Sequence, residues 1–398
     1  MQIFVNEFSV TAHWDGGMAD DGLAAWAASL RGVLRAPQVT LGTVFMGPEF
    51  FDHATEVLEI LRVHARIPLL AGCSGTGLVV NGQELEQTGG LVLGIYHLPG
   101  GVLRGVHFTQ GQVEAAEASD WWATTTGISP GETNGWLVFA DPFHIDGERW
   151  LTQWNEAYPR CPIVGGLASG PAGQPLSQVY LNGEVYEEGG VAVAVGGDIE
   201  LRSVVSQGCT PIGQPWTITR AEGNLIHEIA NRPAYQVLAD TFNGLPPDEQ
   251  RRAQGNLLVG LVANEYQEEF HRGDFLIRNL MGGDPKSGVL AVGARPRPGQ
   301  SLQFQCRDAG TAAEDLVELF SRAKDDLSGR VLYGGCLCLC NGRGRHLFSD
   351  PHHDAGLTQE VFGPTGITGF FCNGELGPVG ARNHLHGFTA SLGLFVGK

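Results

Sequence analysis

The chain has 398 residues, 42% of them hydrophobic and 17% charged, so it can bury the cores of two ordinary domains and is not disordered by composition. Its net charge of −18, from 25 basic and 43 acidic residues, repels phosphate backbones and argues against nucleic acid as a partner. The start, Met1-Gln2-Ile3-Phe4-Val5, carries no basic segment ahead of an apolar one, and no run of 18 apolar residues follows. A cytoplasmic protein without membrane insertion is expected, its eight irregularly spaced cysteines reduced.

In chain order, residues 39–46 read as a buried strand. Residues 51–65 follow as a helix with Ala54, Val57, Leu58 and Leu61 on one face. A second apolar run, 67–73, ends in the turn Gly72–Gly77, an excursion passes through Asn81-Gly82, and 91–96 closes the unit. The order recurs with a strand at 136–140, a helix at 148–158, and a run at 162–169 ending in the turn Gly165–Gly170. There the excursion holds Asn182-Gly183 and the closing run is 191–195. Residues 224–242 then read as a helix, and 256–262 and 288–293 as strands. Lys324 lies on the polar side of a helix whose apolar positions are Ala313, Leu316, Val317, Phe320 and Leu327. A third unit begins at 331–340, passes through a helix near 356–362, turns at Gly369–Gly374 and closes with 389–396. Three apolar runs in matching order point to duplication. The expected fold is α/β (α+β): repeated strand–helix–strand–Gly-turn–strand units forming mixed sheets with helices packed on them, in two pseudo-related domains. The expected boundary separates 1–222, with two copies of the unit, from 223–398, with the third.

In such units, ligands lie beyond the carboxyl ends of the parallel strands, where turn amides converge. Three places qualify: Gly72–Gly77, Gly165–Gly170, and the pair Asn341-Gly342-Arg343-Gly344 with Asn373-Gly374-Glu375. The expected ligand-binding set is Cys73, Ser74, Gly75, Ser169, Arg343, Gly344, Asn373, Glu375 and His386. Between two glycines, Arg343 is expected to be accessible and to hold an anion bidentately, although a surface ion pair explains it equally well. Cys336, Cys338 and Cys340 share one strand face, a pattern that serves packing or, less readily, a metal. His384 and His386 share a face if 383–388 is extended, which keeps a metal or haem ligand open. Catalytic motifs fail: Gly72-Cys73-Ser74-Gly75-Thr76 is not G-x-S-x-G, and His227-Glu228 is not followed by a second histidine at the required spacing. A thiol-dependent enzyme working through Cys73 or Cys340 stays open, without a base placed by sequence.

The run Gly369-Phe370-Phe371-Cys372-Asn373-Gly374-Glu375-Leu376-Gly377-Pro378, followed by Leu385-His386-Gly387-Phe388-Thr389, resembles the C-terminal domain of the FIST family. Ala71-Gly72-Cys73-Ser74 and Gly165-Gly166-Leu167-Ala168-Ser169 resemble its N-terminal domain, and Asn341-Gly342-Arg343-Gly344 also fits. The resemblance covers about residues 30–396. It implies an intracellular sensory protein binding a small polar ligand, amino-acid-like or another anionic metabolite. It also implies that the signal passes to a separate protein, since no F-box, kinase or receiver segment is seen. Some relatives are haem-containing nitric oxide sensors, so haem is the cofactor the resemblance allows. Two departures stand out: Cys372 occupies a position where the family typically has glycine, and Gly75-Thr76-Gly77-Leu78 lacks an expected acidic residue.

Overall fold

Glycine decides how closely the paired parallel strands meet. In the computed structural model, which describes residues 3–17 and 20–398, Gly72, Gly165 and Gly369 each pair with a residue of a parallel strand: Val44, Val138 and Leu337. A Cβ at these glycines would fall 1.7, 1.8 and 1.7 Å from the carbonyl oxygens of Val44, Val138 and Leu337. No side chain fits there, so the three positions require glycine.

Contacts divide the chain into two units: residues 1–205, 318–385 and 389–398 form one, and 206–317 with 386–388 the other. In the first, three sheets share one arrangement. A closing strand runs antiparallel to the first strand, which runs parallel to the second. The strands are Leu91–Tyr96, Leu41–Met46 and Leu70–Ser74 in one sheet. They are Gly190–Gly197, Gly135–Ala140 and Ile163–Leu167 in the next, and Ala390–Gly397, Leu332–Cys340 and Ile367–Cys372 in the third.

Each sheet is then completed by a hairpin from a different stretch of chain. The hairpin Leu78–Val80/Gln83–Leu85, which follows the second strand of the first sheet, pairs with Ile367–Cys372 of the third. Val179–Leu181/Glu184–Tyr186 leaves the second sheet for Leu70–Ser74 of the first. Glu375–Val379/Arg382–His386 leaves the third for Ile163–Leu167 of the second. The exchange closes on itself. Two of the hairpins turn at Asn81-Gly82 and Asn182-Gly183, where both asparagines take the left-handed conformation that tight hairpin turns demand.

Helices cover one face of these sheets. Ala54–His64 buries Ala54, Val57, Leu58 and Leu61 against Val44, Leu70 and Leu93, and Gly147–Ala157 buries Trp150, Leu151 and Trp154 around Trp136 and Val138. A shared core holds the other faces, with one phenylalanine from each sheet at its centre. Phe45, Phe139 and Phe370 have ring centroids 5.0–5.8 Å apart, pairs worth about 0.5–1.5 kcal/mol each beyond their burial.

The second unit is a ring of six antiparallel strands. Thr210–Glu222, Ser301–Cys306, Leu257–Val262, Phe275–Asp284, Val289–Val292 and Leu225–Ile229 each pair with the next, and the last returns to the first. The strands expected at 256–262 and 288–293 are present, but the helix expected over 224–242 is confined to Ala234–Asn243. Residues 225–229 pair as a strand because Ile226 and Ile229 fill the core of the ring. The third strand–helix–strand set belongs to the first unit, so the spatial division does not follow the sequence boundary placed at 222/223.

Candidate functional site

The three carboxyl-end turns converge at one place. Thr76, Ser169 and Asn373 each stand four residues after a strand-pairing glycine. The Thr76 amide donates to Ser169 Oγ at 2.9 Å, and Ser169 Oγ donates to the carbonyl of Phe371 at 2.6 Å. Asn373 donates through its amide to the Leu167 carbonyl at 3.0 Å and through Nδ2 to that of Ala168 at 3.2 Å. Asn341 bridges the group: it accepts from Thr76 Oγ1 at 3.3 Å and donates to Asn373 Oδ1 at 2.8 Å. Thr76 and Asn373 are exposed, whereas Ser169 is buried.

Other expected site residues are placed differently. Ser74 is buried, donates to the Ser169 carbonyl at 2.8 Å and accepts from the Gln178 amide at 3.0 Å, so it ties two turns together. The Gly75 amide is spent on the Met46 carbonyl. Cys73 lies in the shared core, where burial pushes its thiol well above the ordinary value, so a nucleophile there is not supported.

Arg343 is not the accessible anion holder expected of a residue between two glycines. It is fully buried, and its guanidinium grips Asp354 bidentately, Nε to Oδ2 at 2.6 Å and Nη2 to Oδ1 at 3.0 Å. Gly344 beside it is also buried, in a left-handed conformation that a Cβ would fill against the Glu86 carboxylate. Asp354 opens the helix His353–Phe362 and also takes His353 Nδ1 at 2.9 Å. Burial raises its pKa, yet Arg343 and His353 win and hold it at about 2. Glu84, from the hairpin that the first set lends to the third sheet, caps this helix by accepting the amides of Asp354 and Ala355 at 2.8 and 2.9 Å. Burial first, then the Asp354 charge, pushes Glu84 up to about 7. Neither acid was singled out by its sequence. The signal for Asp354 was indirect: a buried arginine needs a carboxylate partner.

Glu375 is buried too. It accepts the Thr389 amide at 3.0 Å and the Cys372 thiol at 3.2 Å, and burial raises its pKa to about 8. Cys336 and Cys338 lie in the core with sulfurs 3.9 Å apart, and burial pushes Cys338 well up, the reverse of what a thiolate metal ligand needs. Among the described residues, no group of three or more His, Cys, Asp and Glu side chains could hold a metal ion. His384 and His386 alternate on the strand Arg382–His386, His384 half-buried and His386 only 3% exposed.

A cleft of about 490 Å³ opens at the other, amino-terminal ends of the strands. Arg160, Cys161 and Pro162 precede the strand Ile163–Leu167, and Asn134 precedes Gly135–Ala140. Glu200 to Ser203 supply a further wall, and Pro378, Gly380, Ala381 and Asn383 around the hairpin turn complete it. Glu200 lies 2.9 Å from both Arg202 and Arg330, which outweigh its partial burial and hold it below the ordinary carboxylate range. Arg160 stands in a left-handed conformation, with φ 62°, at the lip. Sequence reasoning missed this cleft because no motif marks it. It does not suit a haem either: no histidine lines it or the smaller cleft of about 330 Å³ near Arg104, and His386 is buried.

The FIST N domain matches residues 40–232 and the FIST C domain residues 234–378. The chain belongs to the FIST family. These domains are associated with signal transduction. An uncharacterized protein of Mycobacterium tuberculosis (strain H37Rv) is 33% identical over 372 residues, 93% of this chain and 94% of its own. One from Mycobacterium bovis is 34% identical over 382 residues, 96% and 94% respectively. One from Methanocaldococcus jannaschii is 28% identical over 116 residues, 28% of this chain. Within this FIST protein both matched domains contribute to the first spatial unit, which holds the junction and the cleft. No described helix is long and apolar enough to cross a membrane.

Proposed function

We propose that this FIST protein is a cytoplasmic sensory protein that takes a small anionic metabolite in the amino-end cleft and signals to a separate protein. The observation that carries the reading is a 490 Å³ concavity whose wall presents Arg160 and Arg202 in a chain of net charge −18. Glu200 opposes an anion little, because Arg202 and Arg330 already compensate it. The cleft has the size of a small-molecule site, and the guanidiniums suit carboxylate or phosphate oxygens.

The carboxyl-end junction is the second location, favoured by the exposed Thr76 and Asn373 within a group drawn from three turns. There, however, a ligand has to displace hydrogen bonds already made, which costs affinity. Thermal unfolding with succinate, glutamate and inorganic phosphate distinguishes the two. In the cleft reading at least one of these anions raises Tm, Arg160→Ala abolishes the rise, and Asn373→Ala leaves it. The reverse pattern moves the ligand to the junction. No rise with any of the three overturns the choice of an anion.

A further inference from the structure

Of the eight cysteines, seven are buried and Cys340 alone is partly open. It is the last residue of the strand Leu332–Cys340, in register with Cys372, the last residue of the parallel strand Ile367–Cys372. Side chains in register on neighbouring strands leave the same face. Neighbouring strands lie about 4.8 Å apart, within the Cα separation of about 4.4–6.8 Å that a disulfide spans. Both thiols also hydrogen-bond the same carboxylate: Cys372 Sγ lies 3.2 Å from Glu375 Oε1, and Cys340 is a second thiol partner of that group. The charged neighbour of Glu375 is Arg343, already paired with Asp354.

We infer that Cys340 and Cys372 form a dithiol oxidation site for peroxides, with Glu375 as its proton carrier. The Cys340 thiol gives its proton to Glu375, and its sulfur attacks the peroxide oxygen. The O–O bond breaks, leaving a sulfenic acid on Cys340 and, with one proton returned from Glu375, an alcohol or water. The Cys372 sulfur then displaces the sulfenic oxygen, which departs as water with the Cys372 proton. The S–S bond forms, two thiols having lost two electrons and the peroxide having gained two. Burial keeps Cys372 from meeting the oxidant first and pushes its thiol well above the ordinary value, so it is the resolving thiol and needs Glu375, which accepts its hydrogen bond, to carry its proton to the departing oxygen. Burial raises the Glu375 pKa to about 8, which suits a group that takes and returns a proton near neutral pH.

The site sits beside the junction. Asn341 and Asn373, hydrogen-bonded to each other at 2.8 Å, are the residues next after the two cysteines. A disulfide between the two cysteines therefore forms immediately beside the Asn341–Asn373 bond and its Thr76 and Ala168 contacts.

The test exposes the folded full-length protein to equimolar hydrogen peroxide, alkylates it in denaturant and maps the peptides by mass. The expected result is a cross-linked pair holding Cys340 and Cys372, reversed by a dithiol reductant, with the other six thiols still alkylated. Cys372→Ser is expected to leave a Cys340 sulfenic acid that a cyclic diketone traps. Glu375→Gln is expected to slow cross-linking about 100-fold and to flatten its rise with pH around 8. Circular dichroism checks that each variant is folded, and the wild-type map decides the matter if a variant is not. Oxidation of Cys340 to sulfinic acid without a cross-link, cross-linking of another pair, or eight unmodified thiols overturns the assignment.

Discussion

The two ends of the parallel strands in the first unit are built on opposite principles. At the carboxyl ends, three turns meet in a closed set of hydrogen bonds, and the nearby charges, Arg343, Asp354, Glu84 and Glu375, are buried and paired or neutralised. At the amino ends, Arg160 and Arg202 stand at an open cleft. Buried charge holds copies together only when every partner is present, whereas open charge is available to a ligand. Chemistry-bearing residue types alone therefore do not mark an accessible face; their exposure does.

The comparison breaks most sharply at Asp354. Asp354→Ala leaves the Arg343 guanidinium buried without its carboxylate, and a loss of about 3–5 kcal/mol in urea unfolding is expected. An unchanged midpoint would mean that the carboxyl end is not a structural lock. The pH dependence of unfolding comes next. Glu84 and Glu375 have raised pKa values in the folded state, about 7 and about 8, so the folded protein binds more protons than the unfolded chain above the ordinary carboxylate range. Stability is thus expected to fall as pH rises from about 4.5 toward 8, by up to about 1.4 kcal/mol per pH unit for each group. Glu84→Gln should remove the part ending near 7, and a flat wild-type profile would contradict both shifts. Asn373→Ala removes the bonds to Asn341 and Ala168 at an exposed position, with an expected cost of about 1 kcal/mol. Arg160→Ala is expected to change stability by less than about 0.5 kcal/mol while removing the anion-induced rise in Tm. A larger destabilisation would make the cleft arginine structural.

Much of the fold was legible because local pattern and final structure agree. The helical spacing of Val57, Leu58 and Leu61 and of Trp150, Leu151 and Trp154 gives helices that bury those residues, and the two Asn-Gly pairs turn hairpins. Two things were hidden. Hairpin exchange is a choice among strand edges that are chemically alike, so sequence order alone does not reveal that Val179–Leu181 pairs with Leu70–Ser74. Burial of Arg343 depends on Asp354 and on a hairpin some 260 residues earlier in the chain, and flanking glycines are as consistent with a dense interior as with an open loop. The glycine turns read as three separate candidate places; their convergence into one hydrogen-bonded group depends on contacts between distant parts of the chain, such as Thr76 with Ser169 and Asn341 with Asn373, which local pattern does not carry. Residues 225–229 form a strand and not the start of the expected helix, because the five residues Leu225 to Ile229, with His227 and Glu228 among them, are too short a stretch to separate strand from helix without their neighbours.

The cyclic hairpin exchange also fixes the number of strand–helix–strand sets that the first unit can hold. In a solenoid each repeat touches only its neighbours, so repeats are gained or lost at the ends without disturbing the rest. Here each sheet ends on a hairpin lent by another, and the lending runs in a circle: the first set gives to the third, the third to the second, and the second to the first. Removing one set leaves one sheet edge bare and one hairpin without a sheet, and adding a fourth to the circle means redirecting one of the existing hairpins. Such a unit is expected to assemble all at once, because no set is complete until the others are present. The ring of antiparallel strands between Ser206 and Val317 is inserted between the second and third sets in the chain, outside that circle of lending.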